Sequence, residues 1–177
     1  MSLIATIDPK QATGEVAEIY ARAQAKFGAV PNGFRVWSAS PRLLKQFLDS
    51  IDYYMSHPSL SFPTLAVIRL LVSVDQRCDY CVDMNMGLLM QMAGWSLEQV
   101  QATRADLSAA PLPERDQALV ALVIKAVKAS NSITAEDLEA VRAHGWNDGD
   151  ILDAVNHGAR QVAGDIVFNA FRVERDH

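Results

Sequence analysis

The sequence predicts an all-α protein, on three observations. Apolar residues recur at three- and four-residue intervals along most of the chain. No long alternating apolar/polar run occurs. No Asn-Gly or Asp-Gly pair sits between β-branched runs, as a hairpin needs.

The elements follow in order. Asp8-Pro9 reads as a helix cap. From Thr13 to Phe27 the positions Val16, Ile19, Tyr20, Ala23 and Phe27 share one helical face. Gly28, Pro31, Asn32 and Gly33 then read as a loop. Ser40-Pro41, a cap with proline at the first helical position, opens a helix through Leu44, Leu48 and Tyr54, and His57-Pro58 closes it. Ser61-Phe62-Pro63 starts a helix that is apolar nearly all round from Leu65 to Val74 and is therefore expected in the core. Further helices are expected near Cys78 to Met92, Leu97 to Leu107, Pro113 to Ser130, Ala135 to His144 and Gly149 to Phe171.

Two junctions repeat a pattern, Ala93-Gly94-Trp95-Ser96 and His144-Gly145-Trp146-Asn147. In each, glycine closes one helix in the left-handed conformation, and tryptophan stands before the next N-cap, placed to staple onto Val100 or Ile151. A weak internal repeat and two independent uses of a good turn explain this equally well. Met84, Met86, Met90 and Met92 are read as core or subunit interface rather than as a flexible binding surface.

Composition bounds the function. The chain has 177 residues, half of them apolar and 21% charged, which fits one globular domain over 1–177. A net charge of −5 argues against a general nucleic-acid partner. Two cysteines cannot staple a secreted scaffold. The first eight residues have no basic n-region, and the apolar stretch Leu65 to Val74, interrupted by Arg69, is too short to span a bilayer. A soluble, cytoplasmic protein with no membrane partner is expected.

Cys78-Asp79-Tyr80-Cys81 carries the chemistry. Thiols at i and i+3 share one face of a helix, close enough to form a disulfide, and a helix start favours a thiolate. A disulfide closing so short a loop removes little unfolded-state entropy, so redox chemistry accounts for the spacing better than stapling does. Zinc needs four ligands, and His57, His144, His157 and His177 are not at zinc-finger spacing. Haem attachment needs histidine where Val82 stands, and iron–sulfur ligation needs more thiolates. No metal and no bound organic cofactor is therefore expected. The competing reading is two buried, reduced cysteines filling space.

The stretch Leu65-Ala66-Val67-Ile68-Arg69-Leu70-Leu71-Val72-Ser73-Val74-Asp75-Gln76-Arg77-Cys78-Asp79-Tyr80-Cys81 resembles the core of the carboxymuconolactone decarboxylase-like superfamily, nearest its alkyl hydroperoxidase D (AhpD)-like, peroxidase-related branch. Thr13 through Phe34, Ser132 to Leu138 and Gly145 to Ile151 resemble the same group. The resemblance implies an AhpD-like helical bundle assembling as a dimer, trimer or hexamer. It implies that Cys81 attacks a hydroperoxide, that Cys78 resolves the sulfenic acid as a disulfide, and that a dithiol reductant or redox partner protein regenerates the pair. Fully equipped members carry a glutamate twelve residues before the first cysteine and a histidine four after the second. Here those positions are Ala66 and Asn85.

The departures have a chemical consequence. Attack on a peroxide needs a thiolate and a proton for the leaving alkoxide, and Asn85 can hydrogen-bond but cannot accept and return a proton. Asp75, Asp79 and Asp83 oppose a thiolate, with Arg77 read as the only close cation. Asp75, Tyr80 and His157 are the substitutes the sequence offers. Cys78, Cys81 and Asn85 are the expected site residues.

Elsewhere, Asp148, Asp150 and Asp153 read as helix-start charges rather than a cation site, and Arg160, Arg172 and Arg175 as a solvated face or subunit contact along the last helix. No phosphate-cradling loop occurs. The expected function is thiol-dependent hydroperoxide reduction. The alternative is a relay-deficient relative acting as an oligomeric redox-sensing or binding protein, and lactone decarboxylation ranks last.

Overall fold

A computed structural model describes residues 2–176, which form two compact units. Among the described residues there are helices and turns and no strand.

Residues 2–56 with 167–176 make up the first unit. A 3-10 turn at Pro9–Gln11 is capped by Asp8, whose carboxylate accepts from Lys10 N. Helix α1 (Gly14–Phe27) ends at Gly28, left-handed at φ 78°. The chain then forms a helix where a loop was expected: α2 runs Asn32–Trp37, followed by α3 (Pro41–Met55). Pro31 at the N-cap supplies a free carbonyl that accepts from Phe34 N and Arg35 N, and Gly33 is buried within the helix, so a residue that punctuates in isolation is recruited by packing. Val16, Ile19, Tyr20 and Ala23 of α1 meet Phe34, Leu44 and Leu48. Around them Phe27–Phe34, Phe34–Phe47 and Trp37–Phe47 lie 5.1–5.7 Å apart.

The second unit spans His57–Ile166 and holds the cysteines. Its helices are α4 (Phe62–Asp75), α5 (Asp79–Met92), α6 (Leu97–Ala105), α7 (Glu114–Lys128), α8 (Ala135–Ala143) and α9 (Asp148–Ala170), the last belonging to this unit up to Ile166. Helix α4 is central, as its composition requires: Thr64, Leu65, Ala66, Val67, Ile68, Leu70, Val72 and Ser73 are all buried, and α5, α6 and α7 pack on it. Ser61 caps it, accepting from Thr64 N at 3.3 Å. Ser96 with Gln99 and Thr134 with Asp137 form capping boxes that start α6 and α8.

The two tryptophan hinges share their left-handed glycines, Gly94 at φ 72° and Gly145 at φ 88°, but diverge beyond them. Trp146 is buried and donates to Arg115 O at 2.8 Å beneath the Arg115 guanidinium, whereas Trp95 is half-buried. The acidic start of α9 is a cap: Asn147 Oδ1 accepts from Asp150 N, Asp148 pairs with Arg142 and Asp153 with His57. Arg172 and Arg175 lie past the end of α9 and not along it, because the helix stops at Ala170. Met90 and Met92 are exposed, and Met84 and Met86 half-buried.

Candidate functional site

Three helices of the second unit each bring polar side chains four residues apart onto one face: Arg69 and Ser73 from α4, Cys81 and Asn85 from α5, and His157, Gln161 and Asp165 from α9. The structure joins these into one buried network.

Cys78 is the N-cap of α5 and Cys81 its third residue. The turn joining α4 to α5 is closed by Cys78 N donating to Ser73 O at 3.0 Å, and it holds Arg77 at φ 54°, a left-handed conformation that costs a non-glycine residue energy. Both cysteines are reduced and unbonded, with exposures of 1% and 0%. Their sulfurs and a carboxylate oxygen of Asp165 all lie within 4.8 Å of one another. The pair therefore shares one side of the turn, as the spacing requires, but it is closed to solvent.

Asp165 is fully buried. Its Oδ1 accepts from Ser73 Oγ at 3.1 Å and Gln161 Nε2 at 2.8 Å, and Gln161 also donates to Ser73 Oγ at 3.0 Å. No N–H or O–H donor reaches Oδ2. Burial raises the Asp165 carboxyl above its ordinary range, opposed by hydrogen bonds from Cys81, Gln161, Ser73 and Cys78. The Cys81 thiol is pushed upward by its hydrogen bond with Cys78, by burial and by the Asp165 charge. The resting site is thus a closed dithiol facing a carboxyl group whose affinity for a proton is raised by burial.

A second layer adjoins the first. Arg69 Nε donates to Asn85 Oδ1 at 2.7 Å, and Asn85 Nδ2 donates to Cys81 O at 2.8 Å. Arg69 NH1 donates to His157 Nε2 at 3.3 Å. Because a guanidinium only donates, Nε2 presents its lone pair and the imidazole is neutral.

Several expectations are corrected here. Arg77, read as the only close cation, is exposed, and a second cation, Arg69, bonds the Asn85 amide that donates to the Cys81 carbonyl. Asp75 turns away to pair with Lys128 at 3.1 Å, and the carboxylate that reaches the thiols is Asp165. His157 does return to the site, but to Arg69. Asn85 is spent on Arg69 and the Cys81 carbonyl. Asp165 and Gln161 went unread because each looks like an ordinary polar residue on a long helix. The available signal was the four-residue spacing His157, Gln161, Asp165, matched by Arg69 and Ser73 in an otherwise apolar α4.

Two thiolates and the Asp165 carboxylate are also a candidate metal-ligand set. They leave a tetrahedral ion one ligand short, and the buried donors give no solvent access for a water to complete it.

No protein-family model and no curated protein matches the sequence. Solved structures do match. The alkylhydroperoxidase AhpD core of an uncharacterised peroxidase-related protein from Ralstonia eutropha JMP134 superposes with a TM-score of 0.89 at 23% identity, covering 99% of this chain and 92% of that one. An uncharacterised peroxidase-related protein from Silicibacter sp. TM1040 gives 0.86 at 24% identity, covering 98% and 91%. The debrominase Bmp8, in complex with 2,3,4-tribromopyrrole as a cysteine variant, gives 0.82 at 12% identity, covering 99% and 92%. The chain has the AhpD-like helical fold, and at these identities the likeness establishes fold alone.

Proposed function

We propose that the protein is a dithiol oxidoreductase that reduces hydroperoxides through Cys78 and Cys81, with Asp165 as the proton acceptor and donor. One observation carries this reading: two reduced thiols and a buried carboxylate lie within 4.8 Å of one another. The AhpD-like fold of peroxidase-related proteins supports it.

The steps balance. The Cys81 proton passes to Asp165, and with the carboxyl neutral the thiolate no longer faces a negative charge. The thiolate attacks one peroxide oxygen; the S–O bond forms, the O–O bond breaks, and the departing alkoxide takes the proton from Asp165. Cys78 then attacks the Cys81 sulfenic acid, forming the disulfide and releasing water. An external dithiol reductant or redox partner protein reduces the disulfide. Asn85 acts as a positioning residue, holding Arg69 against the turn that carries Cys81. Because both sulfurs are buried, reaction follows a transient local opening. A cytoplasmic location belongs to this reading, and among the described residues no helix is long and apolar enough to cross a membrane. Self-association remains part of this reading.

The test is hydroperoxide consumption with a dithiol reductant. Cys81→Ser abolishes turnover, and Cys78→Ser stalls at a sulfenic acid that a dimedone probe traps. Asp165→Asn lowers the rate by about 10²-fold or more, the usual worth of a positioned acid–base group. The same variant is more stable than wild type at neutral pH: the raised carboxyl contributes stability only below its ordinary pKa, loses it as pH rises, and asparagine removes that cost. Turnover by Asp165→Asn at the wild-type rate overturns its role. An oxidisable pair with no turnover makes the protein a redox sensor, and a pair that no oxidant closes leaves space-filling cysteines.

A further inference from the structure

Arg69 is an unusual cation. Its two polar partners, the Asn85 amide oxygen and the lone pair of His157, carry no charge. Among the described residues no carboxylate lies within ion-pair distance of its guanidinium, although it sits half-buried on the most apolar helix of the chain. A cation removed from water is normally matched by an anion, and neutral ligands leave its charge uncompensated. The arrangement points back to Cys81, because the amide that accepts from Arg69 donates from its other end to the Cys81 carbonyl.

We propose that Arg69 is the counter-charge of the Cys81 thiolate, clamped by Asn85 and by a neutral His157 so that its full positive charge is available to the reacting sulfur. The proposal rests on the dithiol reading above. It gives a use to Asn85, which stands at the histidine position of better-equipped relatives: a fixed cation lowers the cost of the thiolate, while proton transfer goes to Asp165. The neutrality of the clamp matters. A carboxylate at position 85 would make the same hydrogen bond but cancel the charge.

The other groups that act on Cys81 are few. Cys78 caps its helix, Asp165 reaches it from α9, and Arg69 comes from α4 through Asn85 with His157 behind it. Arg160 of α9 acts on His157. Helix α6, also packed on α5, carries Glu98 and Arg104, both exposed. Burial brings Arg69 down only to about 10, opposed by the charge of Cys81, so it stays protonated at neutral pH.

Three variants test this: Arg69→Met, Arg69→Lys and Asn85→Asp. Two readouts follow each, the pH titration of thiolate ultraviolet absorbance and the rate of peroxide-driven disulfide formation at neutral pH. Arg69→Met moves the thiolate titration to higher pH and slows disulfide formation by about tenfold or more, equivalent to about 1.4 kcal/mol. Arg69→Lys keeps most of both. Asn85→Asp slows the reaction like Arg69→Met even though the arginine remains. If Arg69→Met fails to fold, as circular dichroism reports, the lysine and aspartate variants carry the comparison. A thiolate titration that stays in place in Arg69→Met, or an Asn85→Asp variant as fast as wild type, overturns the proposal. The two readings fail separately. A wild type that consumes no hydroperoxide while its titration follows the charge at position 69 loses only the peroxidase reading. Turnover with an unmoved titration loses only the role of Arg69.

Discussion

Acidification should unfasten this site through His157, and the size of the effect follows from the structure. The imidazole is buried, accepts from Arg69 NH1 and contacts the Leu65 backbone. Burial, then the Arg69 charge, push its pKa down to about 3 from the ordinary 6.5. The folded value lies below the unfolded one, so the unfolded chain binds the proton more readily. The neutral ring's contribution is fully present above 6.5 and is lost as pH falls toward the folded value. By linkage the loss is about 2 kcal/mol at about pH 5 and about 3 kcal/mol at about pH 4. That is a large share of a typical domain stability of about 5–15 kcal/mol. Protonation would also set two cations face to face and release Arg69.

The assay is urea unfolding, followed by helical circular dichroism, at about pH 7.5 and about pH 5, for wild type and His157→Gln. Glutamine can accept from Arg69 and still donate to the Leu65 carbonyl, and it does not titrate. Whatever His157→Gln costs at neutral pH, it should lose about 2 kcal/mol less than wild type on acidification. Equal losses in the two proteins would refute the reasoning.

Two predictions concern the frame around the site. A Cβ added at Gly158 of α9 would lie 2.5 Å from Val123 Cγ1 and 3.2 Å from Val127 Cγ2, both on α7. Gly158→Ala should therefore lower stability by about 1–2 kcal/mol in thermal unfolding, since overpacking of about 1–3 kcal/mol outweighs a helix-propensity gain of up to about 1; an unchanged or raised melting temperature would contradict the close approach. Trp146→Phe loses the bond to the Arg115 carbonyl and weakens the cation–π contact at 4.0 Å. It should cost about 1–2 kcal/mol, and a double-mutant cycle with Arg115→Ala should show coupling of about 0.5–1 kcal/mol; zero coupling would show that the guanidinium merely passes by.

Most helices were legible because their signals are local. Periodic apolar faces, Pro41 and Pro63 near helix starts, Ser61 and Ser96 as caps, and Gly28, Gly94 and Gly145 as stops act within one or two turns of chain. The exception is α2. Pro31, Asn32 and Gly33 favour a loop by themselves, and the buried Phe34 and Val36 override that preference.

The sequence by itself determined an all-helical chain with two thiols sharing one turn, because three-residue spacing at a helix start is a property of adjacent residues. Tertiary structure alone decided what those thiols meet. Asp165, Gln161 and His157 lie far along the chain from Cys81, and Arg69 precedes it on another helix, so only the packing of α4, α5 and α9 brings their charges and hydrogen bonds together. Burial then sets the sulfurs and the carboxyl apart from their ordinary proton affinities, and no local pattern of residues encodes how much water a position will lose when the helices close.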